Sequence, residues 1–354
     1  MTLEDLGYTT ELETYRKEQN LDTFGIGRVI SEHRERYLVR TAKQECDGEI
    51  IGNLRYTAGS RSDFPAVGDW VAISEYDADK VLIHAVLPRK TILERQAVGK
   101  QGELQLIAAN IDYAFIVQAV DRDFKINRIE RYLTLCNTAK VKPLVVITKT
   151  DLINAAELTK LIQRSQERLK DIPVFVISNK NQTGIKDLKG IIEKSKTYCL
   201  LGSSGVGKST LLNNLLGKQV MKTGDISEHS HRGRHVTSHR ELHILENGGI
   251  LIDNPGMREV GITSAAGGLE ITFDEITALS KQCKFKDCTH TSETGCAVLA
   301  AVESGTIDEA SYENYLKMQR EKDHFERSVA EKRKRDRDFG KMIRNFQKHK
   351  KLNK

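Results

Sequence analysis

Between residues 22 and 90, apolar and polar positions alternate in short runs, "TFGIGRVIS", "YLVRTA", "GEIIGNLR", "GDWVAIS" and "KVLIHAVL", separated by Gly, Asp, Asn or Ser. A period of two puts alternate side chains on one face, and the turn-forming residues end each run, so the pattern predicts five strands. Five strands of this length suggest a small barrel, and five-stranded Greek-key barrels of the OB type commonly bind oligonucleotides. Arg28, Arg34, Arg36, Arg40, Arg55 and Arg61 are interleaved with Tyr37, Tyr56 and Trp70, a mix suited to backbone contact and base stacking. Trp70 alternates with apolar neighbours in "VGDWVAI", which favours a place in the core over a stacking platform.

From about residue 105 the period changes to strand-helix alternation. Strands are expected at 111-120, 141-148, 173-178 and 197-202, with helices at 126-139, 154-170 and 185-194. A loop, the helix "KSTLLNNLLG" and two strands at 240-245 and 248-254 follow. Such alternation builds a mainly parallel sheet with both faces covered. Beyond about 270 the pattern is mixed and ends in long, polar, helix-like sequence.

A length of 354 residues allows two or three domains, each able to bury a core without staples. No apolar run approaches the roughly 20 residues of a membrane span. The N-terminus "MTLEDLGYTTELETYRKEQN" has neither a basic start nor an apolar segment, so no secretory signal is expected and a cytoplasmic location is. The net charge of +6 is uneven: residues 331-354 hold eleven Lys/Arg against three Asp/Glu. That tail is either a solvated charged helix or a contact for a phosphate backbone. Cys46, Cys136 and Cys199 lie in apolar contexts expected of buried, inert thiols.

Four motifs carry chemistry. "TKTD", Thr148, Lys149, Thr150 and Asp151, ends the apolar run "KPLVVI", and a carboxylate at Asp151 can accept two hydrogen bonds from guanine's ring N–H and amine, which adenine does not offer. "GSSGVGKST", Gly202, Ser203, Ser204, Gly205, Val206, Gly207, Lys208, Ser209 and Thr210, satisfies the phosphate-loop pattern between a strand and a helix. Its backbone N–H groups converge on phosphates, Lys208 reaches the β and γ oxygens, and the Ser209 hydroxyl can ligate Mg²⁺. "DNPG" follows the strand "GGILI", placing Asp253 to hold Mg²⁺ through water and Gly256 to sense the γ-phosphate. "GRHVTSHREL" is expected to hold the first switch, with Thr237 as the hydroxyl that closes on Mg²⁺. Ser178 ends a strand where a loop would buttress the guanine.

The base loop therefore precedes the phosphate loop, the reverse of ordinary guanine-nucleotide switches, and the chain reads as circularly permuted. Permutation is tolerated when the new ends fall in exposed loops. After the second switch comes "CKFKDCTHTSETGC", in which Cys283, Cys288, His290 and Cys296 form C-x4-C-x-H-x5-C. Three thiolates and an imidazole suit one structural, tetrahedral Zn²⁺; disulfide pairing is the alternative.

This order of motifs, preceded by a five-stranded barrel and followed by that cysteine spacing, resembles the RsgA (YjeQ, YloQ) family of circularly permuted GTPases over nearly the whole chain. The resemblance implies an N-terminal extension (1-20), an OB-type β-barrel (21-98), an α/β permuted P-loop GTPase domain (99-265) and a mainly helical zinc-binding domain with the basic tail (266-354). It implies GTP with Mg²⁺ and one Zn²⁺ as cofactors. As partners it implies the small (30S) ribosomal subunit and its 16S rRNA, bound during late maturation and left after GTP hydrolysis; a monomer with no membrane contact is expected.

Four positions depart from the pattern. Thr148 stands where the general base loop has Asn, so its brace to the phosphate loop is made by a hydroxyl or lost. Val236 replaces a Thr of the family's "GRHTTT", and Asn179 follows Ser178 where Ala is usual. Met257 occupies the place of a water-orienting Gln, and a thioether cannot orient water. The resemblance points to His235 as the substitute, with a structural or RNA-contacting role for that His as the alternative. Two rival functions remain at this level: an ATPase or small-molecule kinase, and an RNA-binding module whose nucleotide only stabilises it.

Overall fold

The computed structural model describes residues 1–33, 36–96, 104–121, 124–219, 240–254 and 267–352. The barrel is formed by β1 (Gly25–His33), β2 (Arg36–Arg40), β3 (Glu45–Ile50), β4 (Trp70–Asp77) and β5 (Lys80–Val86) in the order β1-β2-β3-β5-β4, with β4 closing on β1. β3 and β5 are parallel and the other pairs antiparallel. Along β3 exposed and buried residues alternate strictly, as a strand with one face in a core must. Val29, Val39, Cys46, Val71, Val81 and Ile83 fill the interior.

The third predicted run is corrected in two respects. β3 begins earlier, at Glu45, and after Ile50 the chain turns into helix α2 (Gly52–Thr57) rather than remaining extended through Arg55. Ile50 is the last residue of β3 in register with β5, opposite Ile83; the extended Ile51 makes one more bond, from its N–H to the Ile83 carbonyl, and the helix begins at Gly52.

Before the barrel, helix α1 (Thr10–Glu18) and the preceding turn pack against it. Leu6 is fully buried beside Trp70, and the Tyr8 ring meets the Trp70 indole edge-on at 4.9 Å. Trp70 is therefore core, covered by the N-terminal residues, and not a stacking platform. Arg28 ties three parts of the chain together: its buried guanidinium donates to the carbonyls of Leu6, Gly68 and Asn110 and, at 2.9 Å, to the Thr197 hydroxyl. Burial lowers its pKa to about 10, so it stays charged at neutral pH.

A hairpin of β6 (Ile92–Gln96) and β7 (Leu104–Ala109), not foreseen from the sequence, links the barrel to the central sheet. That sheet runs β10-β9-β8-β11-β13-β12, from β8 (Tyr113–Ala119), β9 (Lys142–Thr148), β10 (Val174–Val176), β11 (Thr197–Leu201), β12 (Glu241–Ile244) and β13 (Ile250–Asp253). All neighbours are parallel except β12, which pairs antiparallel with β13 and, through Ser31 opposite Glu241, with barrel strand β1. Helices α3 (Ile126–Ala139) and α4 (Ala155–Leu169) cover one face, and α5 (Ile185–Gly190) and α6 (Lys208–Leu216) the other. Ile116 of β8 faces the first core and Phe115 and Val117 the second, which is why these strands read as continuous apolar runs.

After β13 and residues 255-266 come α7 (Gly268–Thr272), α8 (Asp274–Ser280), the cysteine-containing loop, α9 (Ala297–Glu303) and the long α10 (Glu309–Leu352), which carries the basic tail. Leu269, Phe273, Ile276, Val298 and Met318 form their own core. This unit docks on α3: Thr134 and Asn137 bond to the Thr272 hydroxyl, and Arg131 pairs with Glu321. At the same seam Glu130, 3% exposed, accepts from Arg168 and from Asn314 at 2.6 Å.

Candidate nucleotide site and metal centre

The parallel strands end on one edge of the sheet, where ligands of open α/β folds bind. The phosphate loop leaves β11 there and enters α6. Gly202 has φ 150° and a Cβ on it would lie 2.4 Å from the Val117 carbonyl oxygen; Gly207 has φ 94° and its Cβ would meet Asn179 Nδ2 at 3.0 Å. Both positions need glycine, one for close approach to β8 and one for a left-handed turn into the helix. Lys208 is the first residue of α6 and is buried, its ammonium donating to the carbonyls of Gly202 (2.8 Å) and Ser203 (2.7 Å). Burial lowers its pKa to about 8, against the attraction of Asp253.

Thr148 closes β9 and is fully buried. Its hydroxyl donates to the Val206 carbonyl at 2.6 Å, so the brace expected of an Asn is made by the shorter side chain. Lys149 sits in a left-handed conformation, φ 59°, and pairs with Asp121 at 2.8 Å, a partner the sequence motif did not identify. Thr150 and Asp151 lie in a 3-10 turn, with Asp151 exposed. Asp151 Oδ1 accepts a 2.5 Å bond from the buried Ser178 hydroxyl, which in turn accepts from the N–H of Lys180. The buttress thus holds the carboxylate from below and leaves its other oxygen toward solvent.

Asn179, noted in the sequence only as a departure, donates from Nδ2 to the Gly207 carbonyl at 3.2 Å. Asn214 of α6 donates to Asn179 Oδ1 at 3.0 Å. No sequence motif signals this pair, because the three elements meet only after folding.

Asp253 ends β13 beside the phosphate loop. Both its carboxylate oxygens are buried and, among the described residues, without a hydrogen-bond partner, and burial raises its pKa to about 6. An unpartnered buried carboxylate is costly alone and well suited to a divalent cation, so the donor set of Asp253 and Ser209 fits Mg²⁺. His235, Thr237 and Gly256, with Val236 and Met257, lie outside the described residues.

The second cluster is about the α8–α9 loop. The ligand atoms of Cys283, Cys288, His290 and Cys296 lie within 4.8 Å of one another. Cys283 and Cys296 sulfurs are 3.8 Å apart, and His290 Nδ1 is 3.6 Å and 3.4 Å from them. Zn–S bonds of about 2.3 Å in a tetrahedron place sulfurs about 3.8 Å apart, so the set fits zinc. No disulfide joins these positions: the cysteines are free, with the Cys283 and Cys296 sulfurs at metal-ligand rather than bonding distance. The outer frame is set by Tyr312, whose hydroxyl donates to the His290 carbonyl at 2.6 Å, and by Glu293, which accepts from the N–H groups of Thr289 and Thr291.

Comparison with known proteins agrees with this geometry. The family model described as RsgA GTPase matches residues 86–263. A model for ABC transporters matches 185–348, a span that includes the phosphate loop common to both classes but not the base loop at 148–151. The small ribosomal subunit biogenesis GTPase RsgA 2 of Listeria monocytogenes is 43% identical over 91% of this chain and 89% of its own length. RsgA 1 of Bacteroides thetaiotaomicron is 37% identical over 97% and 96%. The crystal structure of YjeQ from Thermotoga maritima superposes with a TM-score of 0.61 at 28% identity, covering 83% of this chain and 96% of that one. That of YloQ, a circularly permuted GTPase, gives 0.60 at 26% identity, covering 85% and 96%. A barrel, a permuted phosphate-loop domain and a cysteine-histidine cluster in one chain, with such relatives along nearly all of it, mean that the protein belongs to the RsgA family of GTPases.

Proposed function

We propose that this GTPase is an assembly factor for the small ribosomal subunit, binding the 30S particle and its 16S rRNA late in maturation and leaving after GTP hydrolysis. The relatives' names supply the ribosomal role. The observation that carries a guanine-nucleotide switch is the joining of the base loop to the phosphate loop by the Thr148–Val206 bond, with Ser178 holding Asp151. In this reading Asp151 reads guanine, Lys208 and the loop N–H groups hold the phosphates, and Ser209, Thr237 and Asp253 serve Mg²⁺. Bound there, Mg²⁺ would neutralise charge on the β and γ oxygens. Gly256 senses the γ-phosphate, and His235 aligns the attacking water in place of the Gln that Met257 cannot supply. Zinc held by Cys283, Cys288, His290 and Cys296 is structural, because four protein ligands leave no open position.

The protein works as a cytoplasmic monomer in this account; no helix among the described residues is long and apolar enough to cross a membrane. The second switch is followed in the sequence by α7, which packs on α3, so rearrangement at the switch on γ-phosphate loss would move the docking surface. The test is the GTP hydrolysis rate with and without purified 30S subunits, together with 30S affinity in GDP and in a non-hydrolysable GTP analogue. A rate that rises with 30S and an affinity that depends on nucleotide are expected. Equal rates and equal affinities would leave only a nucleotide-stabilised RNA-binding module.

A further inference from the structure

We infer that Asn179 and Asn214 form a second clamp, which positions the phosphate loop from the guanine side of the site. The inference rests on the guanine-nucleotide reading above. Thr148 anchors the carbonyl of Val206, and Asn179 anchors the carbonyl of the next residue, Gly207. In a trans peptide the C=O and the following N–H point in opposite directions. Fixing the Val206 and Gly207 carbonyls toward the base loops therefore aims the N–H groups of Gly207 and Lys208 away from them, the way phosphate-binding amides must point. The Gly207 oxygen also accepts the first helical bond of α6, from Leu211 at 2.9 Å, and its two lone pairs accommodate both donors.

Asn179 is not free to swing. Asn214 holds its Oδ1 at 3.0 Å, which also fixes the amide so that Nδ2 is the end facing Gly207, and Gln182 donates to its carbonyl at 2.8 Å. Asn179 follows Ser178, the residue bonded to Asp151. One short segment thus touches the base-reading carboxylate with one side chain and the phosphate loop with the next. Thr148, whose hydroxyl has one proton to donate, shares the bracing with Asn179.

Asn179 is accordingly a positioning residue for nucleotide binding. Its test uses full-length protein, a fluorescent GDP and GTP, and the variants Asn179→Ala, Asn179→Asp and Asn214→Ala. Asn179→Ala should speed dissociation of both nucleotides about tenfold. Asn179→Asp, which is isosteric but sets a carboxylate against the Gly207 carbonyl, should cost at least as much. Asn214→Ala should give a smaller loss that adds little to Asn179→Ala. Nucleotide-free melting temperatures should stay close to the parent's. Unchanged dissociation rates in both Asn179 variants would overturn the clamp, as would losses matched by an equal fall in nucleotide-free melting temperature. Failure of the parent protein to bind GTP would instead sink the nucleotide reading on which the clamp rests.

Discussion

Thr148 and Val206 are joined by a buried 2.6 Å hydrogen bond from hydroxyl to carbonyl, and this bond makes one site of two loops 58 residues apart. Replacing Thr148 by Val keeps the shape and removes the donor, leaving a buried carbonyl with one partner fewer. Loss of such a bond costs about 1–2 kcal/mol. Nucleotide affinity should fall roughly tenfold, as 1.4 kcal/mol corresponds to one decade. Titration with fluorescent GDP would show it, and an unchanged affinity would mean that the loop is held without Thr148.

In the proposed reading, base choice rests on Asp151. A site built around a polar partner rejects a ligand lacking it by on the order of 10³ or more. GTP should be preferred to ATP by that ratio in competition binding, and Asp151→Ala should remove most of it while also freeing the Ser178 hydroxyl. Comparable binding of ATP and GTP to the parent protein would end the guanine reading.

The pH dependence of Mg-nucleotide binding follows from two buried groups. Lys208, lowered to about 8 by burial, must carry its proton to meet phosphate; Asp253, raised to about 6 by burial, must have lost its own to serve the cation. Affinity should therefore fall above about pH 8, where the free ammonium is lost, and below about pH 6, where the carboxylate is protonated. Asp253→Asn should flatten the acid limb alone, and Lys208→Ala should abolish hydrolysis. An acid limb that survives Asp253→Asn would assign it to another group.

The cysteine cluster should hold about one zinc per chain, tightly, because coordination and folding share one free energy. Cys296 caps the N-terminus of α9, its sulfur accepting from the Leu299 N–H, and is also part of the small core with Phe273 and Met318, so removing the metal or mutating Cys296→Ser should loosen this unit. Elemental analysis and hydrogen exchange along residues 283–307 are the measurements. A metal-free protein with fully protected amides there would refute the assignment.

Glu130 holds three helices at one point, bonded to Arg168 of α4 and Asn314 of α10 from α3. Its burial raises its pKa, opposed by Arg168, and removing one partner of a buried pair costs about 3–5 kcal/mol. Glu130→Ala should lower the melting temperature and increase exchange in α10 before α3. Loss of stability spread evenly over the chain would show that the seam is not the weak point.

Much of this molecule is legible along the chain. Strand alternation marked the barrel, the change of period marked the parallel sheet, and α3 spans the residues its pattern indicated, because these signals depend on neighbours three or four positions away at most. The motif residues Thr148 to Asp151, Gly202 to Thr210 and the cluster of three cysteines and a histidine were visible for the same reason: they are written in short contiguous stretches. What escaped was set by distant contacts. The end of β3 depended on where β5 stops pairing. The core place of Trp70 was legible from its alternation, but its cover by Leu6 and Tyr8 was not, nor was the role of Asn179, which depended on α6 arriving beside it. Local sequence by itself determined most of the elements and the reactive groups; only the tertiary structure decided the β6–β7 hairpin, the end of β3 and which groups hold one another in place, since a hydrogen bond or a packed ring requires two surfaces that no periodicity brings together.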